Sequence, residues 1–149
     1  MDIKSPGERS KNMAAIRSRN TKPEIYYRRL LFAQGYRYSL NSKKVPGHPD
    51  IYLRKYNTAI FVHGCFWHRH PNCQYAYMPK SRVEFWQNKF EANMKRDYLV
   101  RLRLYNDKIK CLIIWECTIK NMKKDIEKER EIIAQTKEFL ENDKLVLEF

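Results

Sequence analysis

The chain has 149 residues, of which 43% are hydrophobic and 13% aromatic; this suffices for one folded domain and excludes a disordered chain. Lys and Arg number 30 against 17 acidic residues, and the formal charge of +13 favours a polyanionic partner, nucleic acid before an anionic membrane surface. Apolar stretches such as 59–62 are too short to cross a bilayer, and Met1-Asp2-Ile3-Lys4 lacks the apolar stretch of a secretory signal. We therefore expect a cytoplasmic protein that binds nucleic acid and no membrane.

The first half of the chain predicts an arm, a helix and short strands. Residues 1–20 are polar and basic, which is typical of an arm that becomes ordered on a partner. Thr21 and Glu24 have the spacing of a capping box and predict a helix that ends near Gly35. The side chains predicted to be buried on this helix are Ile25, Leu30 and Leu31. The predicted strands are 36–40, 50–53 and 58–63, with turns at 46–49 and 55–57.

The second half predicts an irregular loop at 64–80, followed by helices and strands. Ser81 and Glu84 form a second capping-box pattern before a long helix. Residues 111–116 predict a buried strand, 120–140 one charged helix, and 144–149 a short edge strand. The buried stripes predicted for the two helices are Trp86, Phe90, Met94 and Leu102, and Met122, Ile126, Ile133 and Leu140. The order of elements predicts one α/β domain with a central mixed sheet.

Cysteines and histidines are concentrated between residues 65 and 73. Zinc takes four soft or borderline ligands in a tetrahedron, and Cys65, His70 and Cys73 can surround one ion within this loop. Cys117, just after a predicted strand, is available as the fourth ligand, which would make the site structural. The alternative is a loop whose Cys and His residues bind no metal. This loop has little hydrophobic core to hold its shape, however, which favours a bound metal. Cys111 is interpreted as a small buried hydrophobe, and the deaminase motifs H-x-E and P-C-x-x-C are absent.

A second group of polar residues suits phosphodiester hydrolysis. Asp50 begins one predicted strand and His63 ends the next, so a carboxylate for magnesium and an imidazole for proton transfer come close together. Asp50 can also be a turn residue after the preceding proline, and His63 and His68 can be ordinary polar residues. Glu24 has the alternative of a purely capping role, and it can serve both as a cap and beside the active site.

Three aromatic residues, Phe66, Trp67 and Trp86, have two interpretations. They can pack under the zinc loop, or they can form a wedge that unstacks a base step, with Met13 entering from the other groove. Helical periodicity favours a core position for Trp86, whereas both interpretations stay open for Phe66 and Trp67.

Four motifs, in this order along nearly the whole chain, resemble the very-short-patch repair (Vsr) DNA mismatch endonucleases. They are Arg9-Ser10-Lys11-Asn12-Met13, Pro46-Gly47-His48-Pro49-Asp50, Phe61-Val62-His63-Gly64-Cys65-Phe66-Trp67-His68 and Trp115-Glu116-Cys117. The His-Gly-Cys-Phe-Trp-His string is the specific one. The resemblance implies a restriction-endonuclease-like α/β fold over 21–149 with a structural zinc loop at 64–80. It also implies a nick on the 5′ side of the thymine of a T:G mismatch, the lesion left by deamination of 5-methylcytosine.

By the same resemblance, each motif residue has an expected role. Asp50 and the backbone carbonyl of Val62 bind magnesium, His63 and His68 are catalytic, with His68 activating water, and Glu24 lies near the site. The expected structural zinc ligands are Cys65, His70, Cys73 and Cys117. The expected DNA contacts are Arg9 and Lys11 on the arm and the intercalating residues Met13, Phe66, Trp67 and Trp86.

Some assignments have alternatives. Some relatives carry consecutive histidines with one residue fewer before the cysteine, so His68 is the alternative to His70 as zinc ligand. The wider superfamily has the motif acid-x-Lys where this chain has Phe61-Val62-His63. The Vsr family itself differs from the superfamily at this position, so the difference supports the resemblance. The family suggests a monomer, a companion cytosine-C5 methyltransferase and mismatch-repair proteins as partners. The rival functions are a restriction-type endonuclease acting on matched DNA and a non-catalytic, zinc-stabilised DNA-binding module.

Overall fold

The computed structural model describes residues 19–149, so almost all of the predicted basic arm lies outside the described residues. The elements in chain order are α1 (Lys22–Ala33), β1 (Ser39–Leu40), β2 (Ile51–Leu53), a 3-10 turn (Arg54–Tyr56), β3 (Thr58–His63), α2 (Val83–Asn106), β4 (Lys110–Trp115), α3 (Glu116–Lys124), α4 (Ile126–Glu141) and β5 (Val146–Glu148). None of the helices in this range is long and apolar enough to cross a membrane.

The five strands form one sheet in the order β1-β2-β3-β4-β5. The pairs β1–β2 and β2–β3 are antiparallel, whereas β3–β4 and β4–β5 are parallel. All six residues of β4 are buried, as expected for a parallel strand covered on both faces. The predicted α/β domain with a central mixed sheet is therefore confirmed.

The sheet separates two hydrophobic clusters because successive strand residues point to opposite faces. On one face, Leu112 and Ile114 of β4 belong to the larger cluster, which includes residues of α1, α3 and α4. On the other face, Ile113 and Trp115 belong to a cluster with Cys65 and with Leu104 of α2. This second face carries the loop 64–80 and the candidate site.

The first helix begins where the capping box predicts, although the Glu24 carboxylate bonds the residue before the N-cap Thr21. The side-chain oxygen of Thr21 accepts from the N–H of Glu24 at 3.4 Å, and the Glu24 carboxylate accepts from the N–H of Asn20 at 2.8 Å. Leu31 is fully buried, as predicted, but the other buried apolar residue is Tyr27 rather than Ile25 or Leu30, which are half-buried. The Tyr27 hydroxyl lies 2.7 Å from that of Thr136, so its polar group is satisfied in the core.

The second predicted capping box is wrong. Helix α2 begins at Val83, and its N-cap is Arg82 in the left-handed region, with φ 55° and no side-chain cap bond. The predicted buried stripe is also partly wrong, since Phe90 is buried but Met94 and Leu102 are each 44% exposed. Helix α2 buries only a narrow side against the sheet, so an apolar side chain slightly off that side stays in solvent.

The single helix predicted over 120–140 is wrong as well. Asp125 is extended, with φ −140°, and its carboxylate accepts from the N–H groups of Glu127 and Lys128. It therefore ends α3 and caps α4, because a short acceptor side chain satisfies the free N–H groups of a helix start. As a consequence Ile126 is exposed, while Met122, Ile133 and Leu140 are buried as predicted.

The strand boundaries differ by small amounts from the predictions. The strand predicted at 36–40 is reduced to Ser39–Leu40, and that predicted at 111–116 runs from Lys110 to Trp115 because Glu116 begins α3. The strand Thr58–His63 and the irregular loop 64–80 are as predicted, and Val146–Glu148 is an edge strand parallel to β4.

Candidate active site and cysteine–histidine cluster

A cleft of about 620 Å³, lined by the start of α1, the end of β3 and one side of α2, contains all four predicted catalytic residues. These residues are Glu24, Asp50, His63 and His68. The cleft is also lined by Trp67, by Asp97 and by the basic side chains of Lys89, Arg96 and Arg101. The fold therefore brings a carboxylate pair, a histidine pair and positive charge into one concave site, an arrangement that suits a phosphate-bearing ligand.

The Asp50 carboxyl group of the cleft is buried close to Glu24. One oxygen of Asp50 accepts a hydrogen bond from the backbone N–H of Val62 at 2.7 Å. Burial and the nearby negative charge of Glu24 raise the pKa of Asp50 to about 7, although the Val62 hydrogen bond acts in the opposite direction. Two acidic groups held together in this way suit a divalent cation, which would neutralise both. Glu24 is only 4% exposed, and its carboxylate both accepts a hydrogen bond at the start of α1 and lines the cleft.

The two histidines of the cleft are stacked. The rings of His63 and His68 have centroids 3.9 Å apart and planes within 5° of each other. His63 is 7% exposed, and its Nδ1 has no hydrogen-bond partner within the described residues. Burial, followed by the neighbouring charge of His68, lowers the pKa of His63 to about 3. His63 is therefore a neutral imidazole at physiological pH.

Asp97 is a site residue that the sequence interpretation missed. One of its carboxylate oxygens accepts a hydrogen bond at 2.6 Å from Nδ1 of His68, 29 residues away in the chain. Its position in α2 is the signal that could have identified it. Phe90 and Leu104, seven residues before and after Asp97, are both buried, so Asp97 lies on the same side of the helix as these two residues. An acid on the buried side of a helix requires a polar partner, and here that partner is His68.

Asp97, His63 and His68 have ligand atoms within 4.8 Å of one another, as a metal site would need. Parallel stacked imidazoles, however, direct their nitrogen lone pairs side by side rather than towards one point. Asp97 already accepts the hydrogen bond of His68. We therefore interpret this trio as a proton-handling group and not as a metal centre.

The second group in the structure is the cysteine–histidine cluster, formed by Cys65, His70, Cys73 and Cys117. Their ligand atoms all lie within 4.8 Å of one another, and Sγ of Cys117 is 3.4 Å from Nδ1 of His70. Cys65 follows the end of β3 and Cys117 lies in the first turn of α3, so the parallel strands bring them together. Burial raises the pKa of the Cys65 thiol. Three sulfur donors and one imidazole are a donor set that fits tetrahedral zinc.

The structure places the two alternative histidines in different groups. His70 lies with the three cysteines, whereas His68 stacks on His63 and bonds to Asp97. Cys111 is buried in β4 and is not one of the four residues of the cysteine–histidine cluster, as its interpretation as a small hydrophobe predicted.

The predicted wedge residues form an aromatic cluster of Phe66, Trp67 and Trp86 beside the cleft. The ring centroids of Phe66 lie 5.2 Å from Trp67 and 5.5 Å from Trp86, and those of Trp67 and Trp86 lie 5.9 Å apart. All three side chains are half-buried, so they pack on one another and still present ring surface to solvent. The predicted DNA contacts Arg9, Lys11 and Met13 lie outside the described residues.

Arg69 holds the backbone around this aromatic cluster. Its guanidinium donates to the carbonyls of Phe66, Ala76 and Tyr77 at 3.2, 2.8 and 3.1 Å. It also lies 4.0 Å from the ring centroid of Phe90. The sequence interpretation missed this residue, because one Arg among 30 basic residues has no local signal.

The chain is similar to proteins that are named DNA endonucleases. A family model described as DNA mismatch endonuclease Vsr matches residues 1–74. The type II nicking enzyme V.NmeAIP of Neisseria meningitidis is 43% identical over 120 residues, which are 80% of this chain and 85% of that relative. V.XorIIP of Xanthomonas oryzae, also a type II nicking enzyme, is 40% identical over 81% of this chain and 88% of its own. The DNA mismatch endonuclease Vsr of Escherichia coli is 38% identical over 83% of this chain and 78% of its own.

Substitution of Asp50 tests the electrostatic strain of the cleft. Folding raises the pKa of Asp50 to about 7, so the protonated carboxyl group favours the folded state. This contribution to the free energy of unfolding is fully present below the unfolded pKa of Asp50 and is lost as the pH rises through about 7. The uncharged Asp50→Asn keeps an acceptor for the Val62 N–H. We expect it to match the wild type in stability at pH 4 and to exceed it at pH 8 by on the order of 2 kcal/mol.

The measurement is urea denaturation at several pH values without divalent cations. The matched control is Glu138→Gln on the exposed side of α4, for which we expect no comparable pH dependence. A stability difference between Asp50→Asn and the wild type that is constant from pH 4 to pH 8 would contradict this electrostatic account.

Proposed function

The chain belongs to the Vsr family of DNA mismatch endonucleases, and from this premise we propose that it nicks duplex DNA on the 5′ side of the thymine of a T:G mismatch. The observation that carries the proposal is the cleft. It joins a carboxylate pair, the His68–Asp97 hydrogen bond and basic side chains, and the aromatic cluster lies beside it. Companion cytosine-C5 methyltransferase and mismatch-repair partners remain predictions.

In this proposal His68 activates the attacking water. The Asp97 carboxylate accepts the Nδ1 hydrogen of His68, which leaves Nε2 as the acceptor for a water proton. The same carboxylate stabilises the imidazolium that forms. Neutral His63 fixes the plane of the His68 ring by stacking and does not compete for the proton.

We assign the carboxylate pair to magnesium binding, with Asp50 and the backbone carbonyl of Val62 as ligands and Glu24 beside them. The Val62 N–H occupies one oxygen of Asp50 and orients the carboxylate, which supports this assignment. When bound, magnesium supplies positive charge to the phosphate and to the leaving oxygen. The role of this chain is to hold two carboxyl groups together despite their repulsion.

The basic side chains of the cleft, Lys89, Arg96 and Arg101, suit the DNA backbone. The aromatic cluster is proposed as the wedge that enters the base stack together with Met13 of the arm. Arg9 and Lys11 of the arm are proposed as further DNA contacts. A mismatched step unstacks at lower free-energy cost than a paired one, so a wedge gains discrimination at the lesion.

We further propose that the cysteine–histidine cluster holds a structural zinc ion. Four protein donors close the coordination shell, and the loop 64–80 has little regular structure of its own to maintain its shape. The ion would hold that loop, and with it Phe66 and Trp67, in place beside the cleft.

The first test is a nicking assay on end-labelled duplexes. T:G duplexes with varied flanking sequences and a matched T:A duplex are incubated with magnesium or with a chelator. We expect a magnesium-dependent nick on the thymine strand of the mismatch alone, and Asp50→Asn to reduce its rate by at least about 100-fold. Equal cutting of the matched duplex would favour the restriction-type enzyme, and tight binding without any nick would favour the non-catalytic module.

A second test concerns Asp97. Asp97→Asn keeps the shape of the side chain but removes the charge that stabilises the His68 imidazolium. We expect kcat to fall about 10- to 100-fold with KM for the duplex unchanged. Asp107→Asn, the same substitution one residue after α2 ends, is the matched control. A loss of equal size in both variants, or an effect on KM alone, would overturn the role of Asp97.

The zinc proposal is tested by metal analysis. We expect one zinc ion per chain, and Cys73→Ser to lower zinc affinity at least about 10-fold in chelator competition. Cys111→Ala, which removes the buried cysteine outside the cysteine–histidine cluster, should keep the zinc affinity of the wild type. A chain that purifies without zinc and keeps its melting temperature in chelator would refute the assignment.

A further inference from the structure

Trp115 lies between the two groups described above. Its indole stacks on the imidazole of His70, with centroids 4.2 Å apart and planes within 9°. On another side the indole contacts the ring of His63, with centroids 5.2 Å apart and an angle of 73° between the ring planes. His63 in turn stacks on His68. Four rings therefore form a continuous path from the cysteine–histidine cluster to the catalytic cleft.

The indole itself has little freedom to move. Trp115 is 5% exposed and ends β4, where the register pairs it with His63 at the end of β3. Its Nε1–H donates to the carboxylate of Glu148 in β5 at 2.7 Å. Since protein interiors are close-packed, a displacement of the ring on one side of this indole must be taken up on the other side.

We propose that Trp115 is a positioning residue that couples the cysteine–histidine cluster to the histidine pair of the cleft. The position of the His70 ring, held by the metal, sets the position of the indole. The indole sets the ring orientation of His63 and, through stacking, that of His68. The proposal rests on the proposed function for the roles of zinc and of the two histidines.

Two routes of coupling have to be separated. The cluster and the histidine pair are also joined through the backbone, since the N–H of His68 donates to the carbonyl of Gly64 and that of His70 to the carbonyl of Cys65. His70→Cys separates the routes, because it keeps four donors for the metal and removes the ring that stacks on Trp115.

The experiment is a double-mutant cycle of His70→Cys and Trp115→Leu, measured on zinc-loaded protein. One readout is kcat and KM for nicking, and the other is the NMR shifts of the His63 and His68 ring protons without DNA. Each single variant should lower kcat about 10-fold with KM unchanged and move the His63 signals. The double variant should be no worse than either single variant, because both break the same path.

Independent effects would overturn the proposal: a fall in kcat of about 100-fold in the double variant, or His63 signals that do not move in His70→Cys. Phe139→Leu, which truncates a buried ring in the other hydrophobic cluster, measures the loss of stability alone and should leave both readouts unchanged.

Two further arrangements keep the test decisive. If Trp115→Leu does not fold, Trp115→Phe takes its place, since it keeps an aromatic face against His70 and should show an intermediate effect. If the wild type nicks no duplex, the proposed function fails, whereas the NMR shifts still decide whether the two groups are coupled.

Discussion

The parallel pairing of β3 with β4 is the constraint on which the whole site depends. Both strands end at the same edge of the sheet, with His63 and Trp115 in register. The chain then leaves β3 towards Cys65 and leaves β4 towards Cys117, so two sulfur donors arrive at one place from different parts of the sequence. A slip of one residue would turn these side chains to the opposite face of the sheet and separate both groups. The buried apolar side chains of β4 hold the register, since they pack on both faces.

The cleft is held in an electrostatically unfavourable state by this rigid support. Burial disfavours the charged forms of Asp50 and of His63, raising the pKa of the first and lowering that of the second. Such groups reduce stability, and they persist because the surrounding packing compensates for them. Helix α2 completes the arrangement by facing the cleft with Asp97 and with basic residues. Carboxyl groups, imidazoles and positive charge are thus positioned in the cleft before any ligand arrives.

The local features of this chain were predictable wherever one short segment contains its own signal. Thr21 and Glu24 mark a helix start that the structure confirms, and the apolar run 58–63 is a strand with the predicted ends. Prediction was wrong where two local signals competed. The apolar spacing of 120–140 favoured one helix, but the cap formed by Asp125 divides it, because its carboxylate satisfies two N–H groups of the following helix. At Ser81 the capping pattern was present, yet the helix begins after Arg82 without a side-chain cap.

The sequence by itself determined which residue types are available for chemistry, since Asp50, His63, His68 and the four cluster residues stand in recognisable short motifs. Only the tertiary structure decided how they are grouped. It placed His70 with the cysteines and His68 with His63, and it brought in Asp97 from a helix 29 residues away. It also placed the ring of Trp115 between the two groups. The physical reason is that motifs record local spacing, whereas partners across a sheet or a helix face are selected by packing and strand register.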